Sequence, residues 1–390
     1  MKVKILSIVL ACVLLMACFV MPAAAGDAAA DAATQSSASL DLACKSAVLM
    51  DAATGTVLYE QNADEALPPA SVTKIMTLLL VMEAVDAGAI KLTDMVSTSA
   101  NAASMGGSQI FLEEGEQMSV EDMVKSVVIS SANDAAVALA EFVAGSEEAF
   151  VERMNKRAED LGMKNTHFEN TNGLDDTVEN HVTSARDIAL MSRELIKHET
   201  ILQYSSIWMD TIRDGAFGLT NTNRLVRFYK DATGLKTGST AKAGFCVSAT
   251  AKRDGMHLIC VVMGAETRDI RNAIATKLLD YGFANYALYH ADGKPLDEVK
   301  VLGGVENTCG VAYGAFDCVM AKGAEKKVSC SVEIEETIAA PVKVGDVVGK
   351  VIYRAGDRVL GEVPILATEE IAKIDFKGLF VRMLAGFFMK

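Results

Sequence analysis

Two β-hairpin signals stand at opposite ends of one long segment, and the pattern between them is helical. Near its start, the apolar runs Ala47–Met50 and Thr56–Tyr59 flank a Thr54-Gly55 turn. Near its end, Phe245–Ala251 and Met256–Gly264 are joined by Asp254-Gly255, a dipeptide favoured in two-residue hairpin loops. The interior predicts helices over Ala70–Ala84, from a capping box at Ser119 to Ile129, over Asp134–Val143, from Ser146 to Gly162 and over Ser184–His198. Arg268–Tyr286 is helical again. A sheet fed by strands from both ends of a helix-filled segment predicts an α/β (α+β) domain over residues 40–290.

After Asp292-Gly293-Lys294-Pro295 the texture changes to short β runs with Gly turns: Val299–Leu302, Val328–Ile334, Val347–Tyr353 and Arg358–Ile365. A separate small all-β domain over 291–367 follows. No internal repeat interrupts this layout. Hydrophobic residues make up 51% of the 390, which excludes wholesale disorder. The net charge of -14 repels phosphate backbones and argues against nucleic acid as the main partner.

The ends carry their own signals. Residues 1–25 combine a basic start at Lys2 and Lys4, an apolar stretch Ile5–Val20 and a small-residue site at Ala23-Ala24-Ala25. They predict a secretory signal peptide and an exported protein. A lipobox-like Leu15-Met16-Ala17-Cys18 is the competing reading, with Phe19-Val20-Met21 unusual after it. Residues 26–39 are small and polar and predict a flexible linker. In 368–390, Phe376, Leu379, Phe380, Met383, Leu384, Phe387 and Phe388 fall on one helical stripe, with Lys373, Lys377, Arg382 and Lys390 as basic companions. This predicts an amphipathic helix lying in a membrane surface, too short to span it; packing on its own domain is the bland alternative.

Six cysteines remain beyond the signal, with no C-x-x-C pair. Cys246 and Cys260 read as buried hydrophobes. Cys309, Cys318 and Cys330 lie close enough in sequence for one disulfide, with the pair, or a reduced state, left open. His167, His181, His198, His257 and His290 have no metal-ligand spacing and read as structural or exposed, and Trp208 as core. No metal or cofactor is implied.

The chemistry starts at Ser71-Val72-Thr73-Lys74, which opens an apolar helix after Pro68-Pro69. Residues i and i+3 share a helix face, so a hydroxyl meets an amine. Serine needs a base to become a nucleophile, and a lysine with a lowered pKa can be that base. The helix N-terminus points N–H groups at a developing oxyanion. S-x-x-K alone is weak: Ser239-Thr240-Ala241-Lys242 also matches, on a strand-like run where i and i+3 face opposite sides. Two further elements strengthen it. Ser131-Ala132-Asn133 offers a hydroxyl to relay a proton and a carboxamide to hold a substrate amide. Lys236-Thr237-Gly238 offers an ammonium, a hydroxyl and a glycine that lets a substrate backbone approach.

The set S-x-x-K, S-x-N, K-T-G resembles the active-site triple of penicillin-binding proteins and serine β-lactamases. PPASVTKIMT, SSANDAAVALAE and GLKTGSTAKAGFC are similar to the low-molecular-mass D-alanyl-D-alanine carboxypeptidases, as is the layout of catalytic domain, β domain and terminal helix. The resemblance implies that fold and a peptidoglycan stem peptide ending in D-Ala-D-Ala as substrate. It implies Ser71 as nucleophile, Lys74 as proton acceptor and Ser131 as proton relay. The N–H groups of Ser71 and Ser239 would form the oxyanion hole. Lys236, Thr237 and Arg271 would hold the substrate carboxylate, and β-lactams would acylate Ser71. Ala132 stands where Gly or Asp is commoner, and Ser239 where a relative has His.

Competing readings are set against these. Ser71 and Lys74 can be an ordinary helix start, Ser131 a cap, Lys236 a solvated edge lysine and Arg271 a surface salt-bridge partner. A β-lactamase is the alternative function, but Glu169-Asn170-Thr171-Asn172-Gly173 lacks the Glu-x-x-x-Asn spacing that places a deacylating water. A non-enzymatic wall-binding scaffold is the third.

Overall fold

The computed structural model describes residues 40–175 and 178–388, with side chains through Leu384. The signal and linker expected over 1–39 lie outside the described residues. The chain forms two compact units. The first holds the described residues through Leu288 together with Val319–Lys322; the second holds Tyr289–Cys318 and the described residues from Gly323 onward.

The first unit is built on a five-stranded antiparallel sheet. Its strands are β1 (Ser46–Asp51), β2 (Val57–Gln61), β3 (Ala232–Thr240), β4 (Gly244–Arg253) and β5 (Met256–Ala265), in the order β2-β1-β5-β4-β3. Strands from the two ends of the segment meet at β1 and β5, where Ser46 pairs Met263 and Asp51 pairs Leu258. Asp254 and Gly255 at the β4–β5 turn both have positive φ, as a type I′ hairpin requires. The pleat sorts β1 onto two faces. Val48 and Met50 join Ile259, Val261 and Met263 against the helical interior. Ala47 and Leu49 join Leu258, Cys260 and Val262 against Ile274, Leu278 and Leu279 of the C-terminal helix of this unit. Each such side chain, taken out of water, contributes roughly 1.5–3 kcal/mol.

The helices the site depends on are α1 (Lys74–Asp86), α2 (Val120–Lys125), α3 (Asn133–Ala144), α4 (Glu147–Asp160), α5 (Ala185–Leu195) and α6 (Arg268–Asn285), beside shorter ones at Ala100–Ala103, Glu199–Ser205 and Leu225–Phe228. Two depart from the sequence reading where the chemistry was placed. The helix expected over Ala70–Ala84 begins as a 3-10 turn, Ala70–Thr73, before α1. In a 3-10 turn residues i and i+3 eclipse, so side chains 71 and 74 align more closely than on an α-helix. The helix expected from Ser119 to Ile129 stays α only through Lys125, capped by the Ser119 hydroxyl accepting from the Asp122 N–H. A π-type turn, Ser126–Ser130, follows, and Ser131 closes it in the left-handed region at φ 67. The wider turn reorients the chain so that Ser131 and Asn133 leave it in new directions.

The Ala70–Thr73 turn is held from outside. Ala70 itself has φ 50, an uncommon value for a residue with a Cβ. His181 Nδ1 accepts the Glu169 N–H at 3.0 Å, so its Nε2–H is left to donate to Thr73 Oγ1 at 2.7 Å. Thr73 Oγ1 in turn donates to the Ala70 carbonyl at 2.8 Å. Burial pushes the His181 pKa down to about 4, which keeps the ring in this neutral form. Thr77 donates to the Thr171 carbonyl at 2.6 Å, fastening the 169–174 segment along the same helix start.

The second unit is a six-stranded sheet of β6 (Lys294–Leu302), β7 (Thr308–Tyr313), β8 (Val328–Ile334), β9 (Thr337–Ala339), β10 (Val347–Ala355) and β11 (Arg358–Ala367), in the order β8-β10-β11-β7-β6-β9. The strands β7 and β9 were not expected; Thr308–Tyr313 is short, with a glycine inside it, and β9 has three residues. The expected border at 290 is corrected in one respect. Val319–Lys322 belongs to the first unit, where the Lys322 N–H bonds the Asn285 carbonyl at 2.9 Å and its Nζ the Phe283 carbonyl at 2.8 Å.

The helix expected over 368–390 is also shorter. Ile371 and Val342 exchange both backbone hydrogen bonds at 2.9 Å, and Ile374 N–H bonds the Gly303 carbonyl, so this stretch is extended. Helix α7 runs Phe376–Phe388, with Phe376 85% and Met383 68% exposed. Among the described residues no helix is long and apolar enough to cross a membrane. Cys309, Cys318 and Cys330 are free thiols, Cys309 buried and Cys330 exposed.

Gly173 tests the clamp on the nucleophile turn. It has φ +84, and a Cβ there would lie 1.9 Å from the Ala70 carbonyl oxygen. Gly162 has φ +71, and a Cβ there would meet nothing within 4 Å. Gly162→Ala is expected to cost about 1 kcal/mol and Gly173→Ala about 3 kcal/mol or more, read as unfolding midpoints in urea. Equal costs would mean that the 169–174 segment does not press on the turn.

Candidate active site

A cleft of about 680 Å³ opens beside β3, the edge strand of the first sheet. Ser71, Ser131, Thr237, Gly238, Ser239 and Arg271 line it, so residues far apart in sequence face one space. The two expected lysines, Lys74 and Lys236, are buried behind this wall, each hydrogen-bonded to a serine that lines it, Ser71 and Ser131.

Lys74 is fully buried. Its Nζ donates to Ser71 Oγ at 2.9 Å, to Asn133 Oδ1 at 2.5 Å and to the Asn172 carbonyl at 2.8 Å. Three acceptors match the three protons of an ammonium. Burial nevertheless holds its pKa well below the ordinary lysine value, the Lys236 charge lowers it further, and Asp134 offsets part of this. When Lys74 is neutral its lone pair faces Ser71 Oγ–H and the hydrogen bond reverses.

Lys236 is the second buried ammonium. It donates to Ser131 Oγ and to the Thr237 carbonyl, both at 2.8 Å. Burial, then the charge of Arg271, brings its pKa down to about 7. Thr237 donates to Thr222 Oγ1 at 2.8 Å, which aims the hydroxyl along the cleft wall. Asp134 is buried, and its carboxylate accepts the N–H groups of Ile110 and Leu112, at 3.0 and 3.1 Å.

Two of the expected residues also make contacts within the protein. Asn133 was expected to hold a substrate amide. It is 1% exposed, with Oδ1 on Lys74 and Nδ2 donating to the Gly106 carbonyl at 2.7 Å, so in this structure it holds the base from behind. Gly238 was expected to admit a substrate backbone. A Cβ there would meet the Pro69 carbonyl and the Ser71 N–H at 2.8 Å, so it is the enzyme's own nucleophile turn that comes close.

Arg271 is 2% exposed, which removes the surface salt-bridge reading. Its guanidinium bonds the Cys246 carbonyl at 3.3 Å and Asn272 Oδ1 at 2.9 Å, and burial together with the charges of Arg268 and Arg224 lowers its pKa to about 10. Trp208 is a correction. It is half-buried on the cleft wall, edge-on to Phe228 at 6.2 Å, with the Arg227 guanidinium 5.7 Å from its ring. Lys242 of the second S-x-x-K is exposed in the turn after β3. Glu169 makes its bonds with His181 and Asn180 and does not line the cleft, so the carboxylate a β-lactamase would need is not supplied there.

Sequence reasoning missed Ser108, Thr222, Arg224, Arg268 and the role of Trp208. Ser108, Trp208, Thr222 and Arg224 come from connecting segments without periodicity or motif, Arg268 opens α6 without belonging to a motif, and only the fold carries them to the cleft.

Comparison with known proteins places the chain in a family. Residues 31–267 match the family model described as D-alanyl-D-alanine carboxypeptidase, and residues 283–373 that of the penicillin-binding protein 5 C-terminal domain. The chain is 45% identical over 339 residues to D-alanyl-D-alanine carboxypeptidase DacF of Bacillus subtilis, covering 85% of this chain and 87% of that one. Penicillin-binding protein 5 from Haemophilus influenzae superposes with a TM-score of 0.74 at 32% identity, over 85% of this chain and 98% of that one. Penicillin-binding protein D2 from Listeria monocytogenes, solved in an ampicillin-bound form, is similar to 63% of this chain and 99% of its own, at 34% identity and a TM-score of 0.58. The first unit thus matches the peptidase family model and the second a domain of known type, and the chain belongs to the D-alanyl-D-alanine carboxypeptidase family.

Proposed function

We propose that this serine D-alanyl-D-alanine carboxypeptidase is exported, works on peptidoglycan stem peptides through an acyl-enzyme on Ser71, and is inhibited by β-lactams. The observation that carries the reading is the 2.9 Å bond between Ser71 Oγ and an ammonium removed from water. A lysine whose charge is disfavoured by burial and by a second cation has its pKa pulled well below the ordinary value and can serve as a base.

In the first step Ser71 Oγ gives its proton to neutral Lys74 and attacks the carbonyl between the two D-alanines. The N–H groups of Ser71 and Ser239 receive the oxyanion. The carbon–nitrogen bond then breaks. Lys74 gives up the proton it took, Ser131, with the Lys236 ammonium on its oxygen, relays it to the leaving amine, and D-Ala departs. Water attacks the ester, Ser71 Oγ–H is restored and the shortened peptide leaves. Lys236, Thr237 and Arg271 hold the terminal carboxylate of the substrate. A β-lactam presents a strained amide and a carboxylate in the same relation, and the ampicillin-bound relative supports its entry here.

The exported location rests on residues 1–25 and on the substrate class of the family. Membrane attachment rests on α7, whose described apolar side chains are largely exposed and which carries Lys377 and Arg382.

Three outcomes are expected. Mass spectrometry after benzylpenicillin treatment shows one adduct on wild-type protein, none on Ser71→Ala and acylation at least 100-fold slower on Lys74→Ala. An adduct on Ser71→Ala would remove Ser71 from the role of nucleophile. Second, Lys236 with a pKa of about 7 is largely neutral in the empty cleft at pH 8 and charged at pH 5.5. A bound carboxylate raises that pKa. Acyl-D-Ala-D-Ala binding to Ser71→Ala therefore takes up about one proton at pH 8 and almost none at pH 5.5, measured by calorimetry in buffers of different ionisation enthalpy. Third, mature protein sediments with phosphatidylglycerol vesicles, whereas a chain ending at Asp375 stays in the supernatant with its penicillin acylation intact. Equal sedimentation of the two would end the membrane reading of α7.

A further inference from the structure

The terminal carboxylate of a D-Ala-D-Ala substrate accounts for Lys236, Thr237 and Arg271. The cleft contains more positive charge than that one group needs. Arg224 and Arg268 also line it, and both are exposed. Arg268 lies one turn before Arg271 on α6, so both project from the same helix face. Arg224 reaches the same region from the segment after Thr222, and the charges of both arginines bear on Arg271.

Among the described residues no Asp or Glu lines the cleft. Asp269 approaches Arg224 at 3.8 Å, but its side chain is 88% exposed, which makes this a solvent-screened pair of little energy. Arg268 has no salt bridge among the described residues. Three guanidinium groups gathered with the exposed Asp269 as their one neighbouring carboxylate still repel one another, and an arrangement of this kind is stabilised by an anion that bridges them. The chain as a whole carries -14, so the cationic cleft is a local feature and not a reflection of composition. The choice of Arg over Lys matches bidentate recognition of a carboxylate. Phe228, 74% exposed, stands with Trp208 beside Arg224 and gives the aliphatic part of a larger leaving residue a surface to lie on.

Resting on the reading of Ser71 and Lys236 above, we propose that Arg224 and Arg268 form a second carboxylate subsite on the leaving-group side of the cleft. The substrate class it selects is an acyl-D-Ala peptide whose leaving residue carries two carboxylates. The first is held by Lys236, Thr237 and Arg271. The second extends past Arg271 toward Arg268 and Arg224.

The test compares three peptides, diacetyl-L-Lys-D-Ala-D-Ala, -D-Ala-D-Glu and -D-Ala-D-Gln. Glu and Gln have the same shape and differ only in charge. In wild-type protein kcat/KM for the D-Glu peptide is expected to exceed that for D-Gln roughly tenfold at low salt, and the ratio to shrink at high salt. In Arg224→Gln/Arg268→Gln the ratio falls to about one or below. A second arm measures binding of the D-Glu and D-Gln peptides to Ser71→Ala, with and without the two arginine substitutions, and expects the same ratios in Kd. A wild-type ratio at or below one, or a ratio that survives loss of both arginines, overturns the subsite. Absence of D-Ala-D-Ala hydrolysis by the wild type would instead overturn the carboxypeptidase reading, and the binding arm would still decide the subsite.

Discussion

An ammonium group taken completely out of water is the constraint on which this site is built. Lys74 is tolerated in that position because three segments bring it acceptors: the Ser71 hydroxyl from its own turn, the Asn133 carboxamide from the start of α3 and the Asn172 carbonyl from the loop before residue 175. Removing any one would leave a buried donor unpaired, at about 1–3 kcal/mol or more for a charged group. The same burial that makes the lysine costly to hold makes its neutral form accessible. Stability and chemistry therefore pull on this residue in opposite directions, and the three acceptors set the balance between them.

Lys236 repeats the arrangement on the other side of the cleft with a different result. Its two acceptors are Ser131 Oγ and the Thr237 carbonyl, and Arg271 stands near enough to oppose its charge. Each lysine thus has one serine hydroxyl as partner. The pairs come from different elements: Ser71 and Lys74 from one short turn, Ser131 and Lys236 from the end of a π-type turn and the edge of a sheet. The sheet edge can come so close to the nucleophile turn because residue 238 has no side chain.

The larger features of this arrangement were readable before any coordinates. The hairpin signals at both ends of residues 40–290 implied a sheet closed by distant strands, and β1 does pair with β5. Ser71, Lys74, Ser131, Lys236 and Thr237 were readable because their chemistry depends on local spacing within three short motifs. What was not readable depended on distant parts of the chain. The φ of Ala70 is maintained by Thr73, His181 and the N–H of Glu169, none of which forms a pattern with residue 70. The bonds of Asn133 to Lys74 and to the Gly106 carbonyl were not readable, because a carboxamide in sequence does not reveal which way it points. Trp208 was assigned to the core on its bulk alone, since a large aromatic in a segment without periodicity carries no sign of the wall it faces. The extended stretch before α7 was hidden by the helical stripe that follows it.

The meeting of β1 with β5 also governs when the protein becomes reactive. The nucleophile turn is made early in synthesis, while its sheet partner, the second buried lysine and Arg271 are made late. A nascent chain that has emerged only through α5 has a serine and a lysine but no edge strand against them, and β1 lacks the neighbour that completes its hydrogen bonding. Such long-range closure slows folding relative to local contacts. It also delays the meeting of the two lysine–serine pairs until the first unit is nearly complete, so an unfinished chain keeps these groups apart.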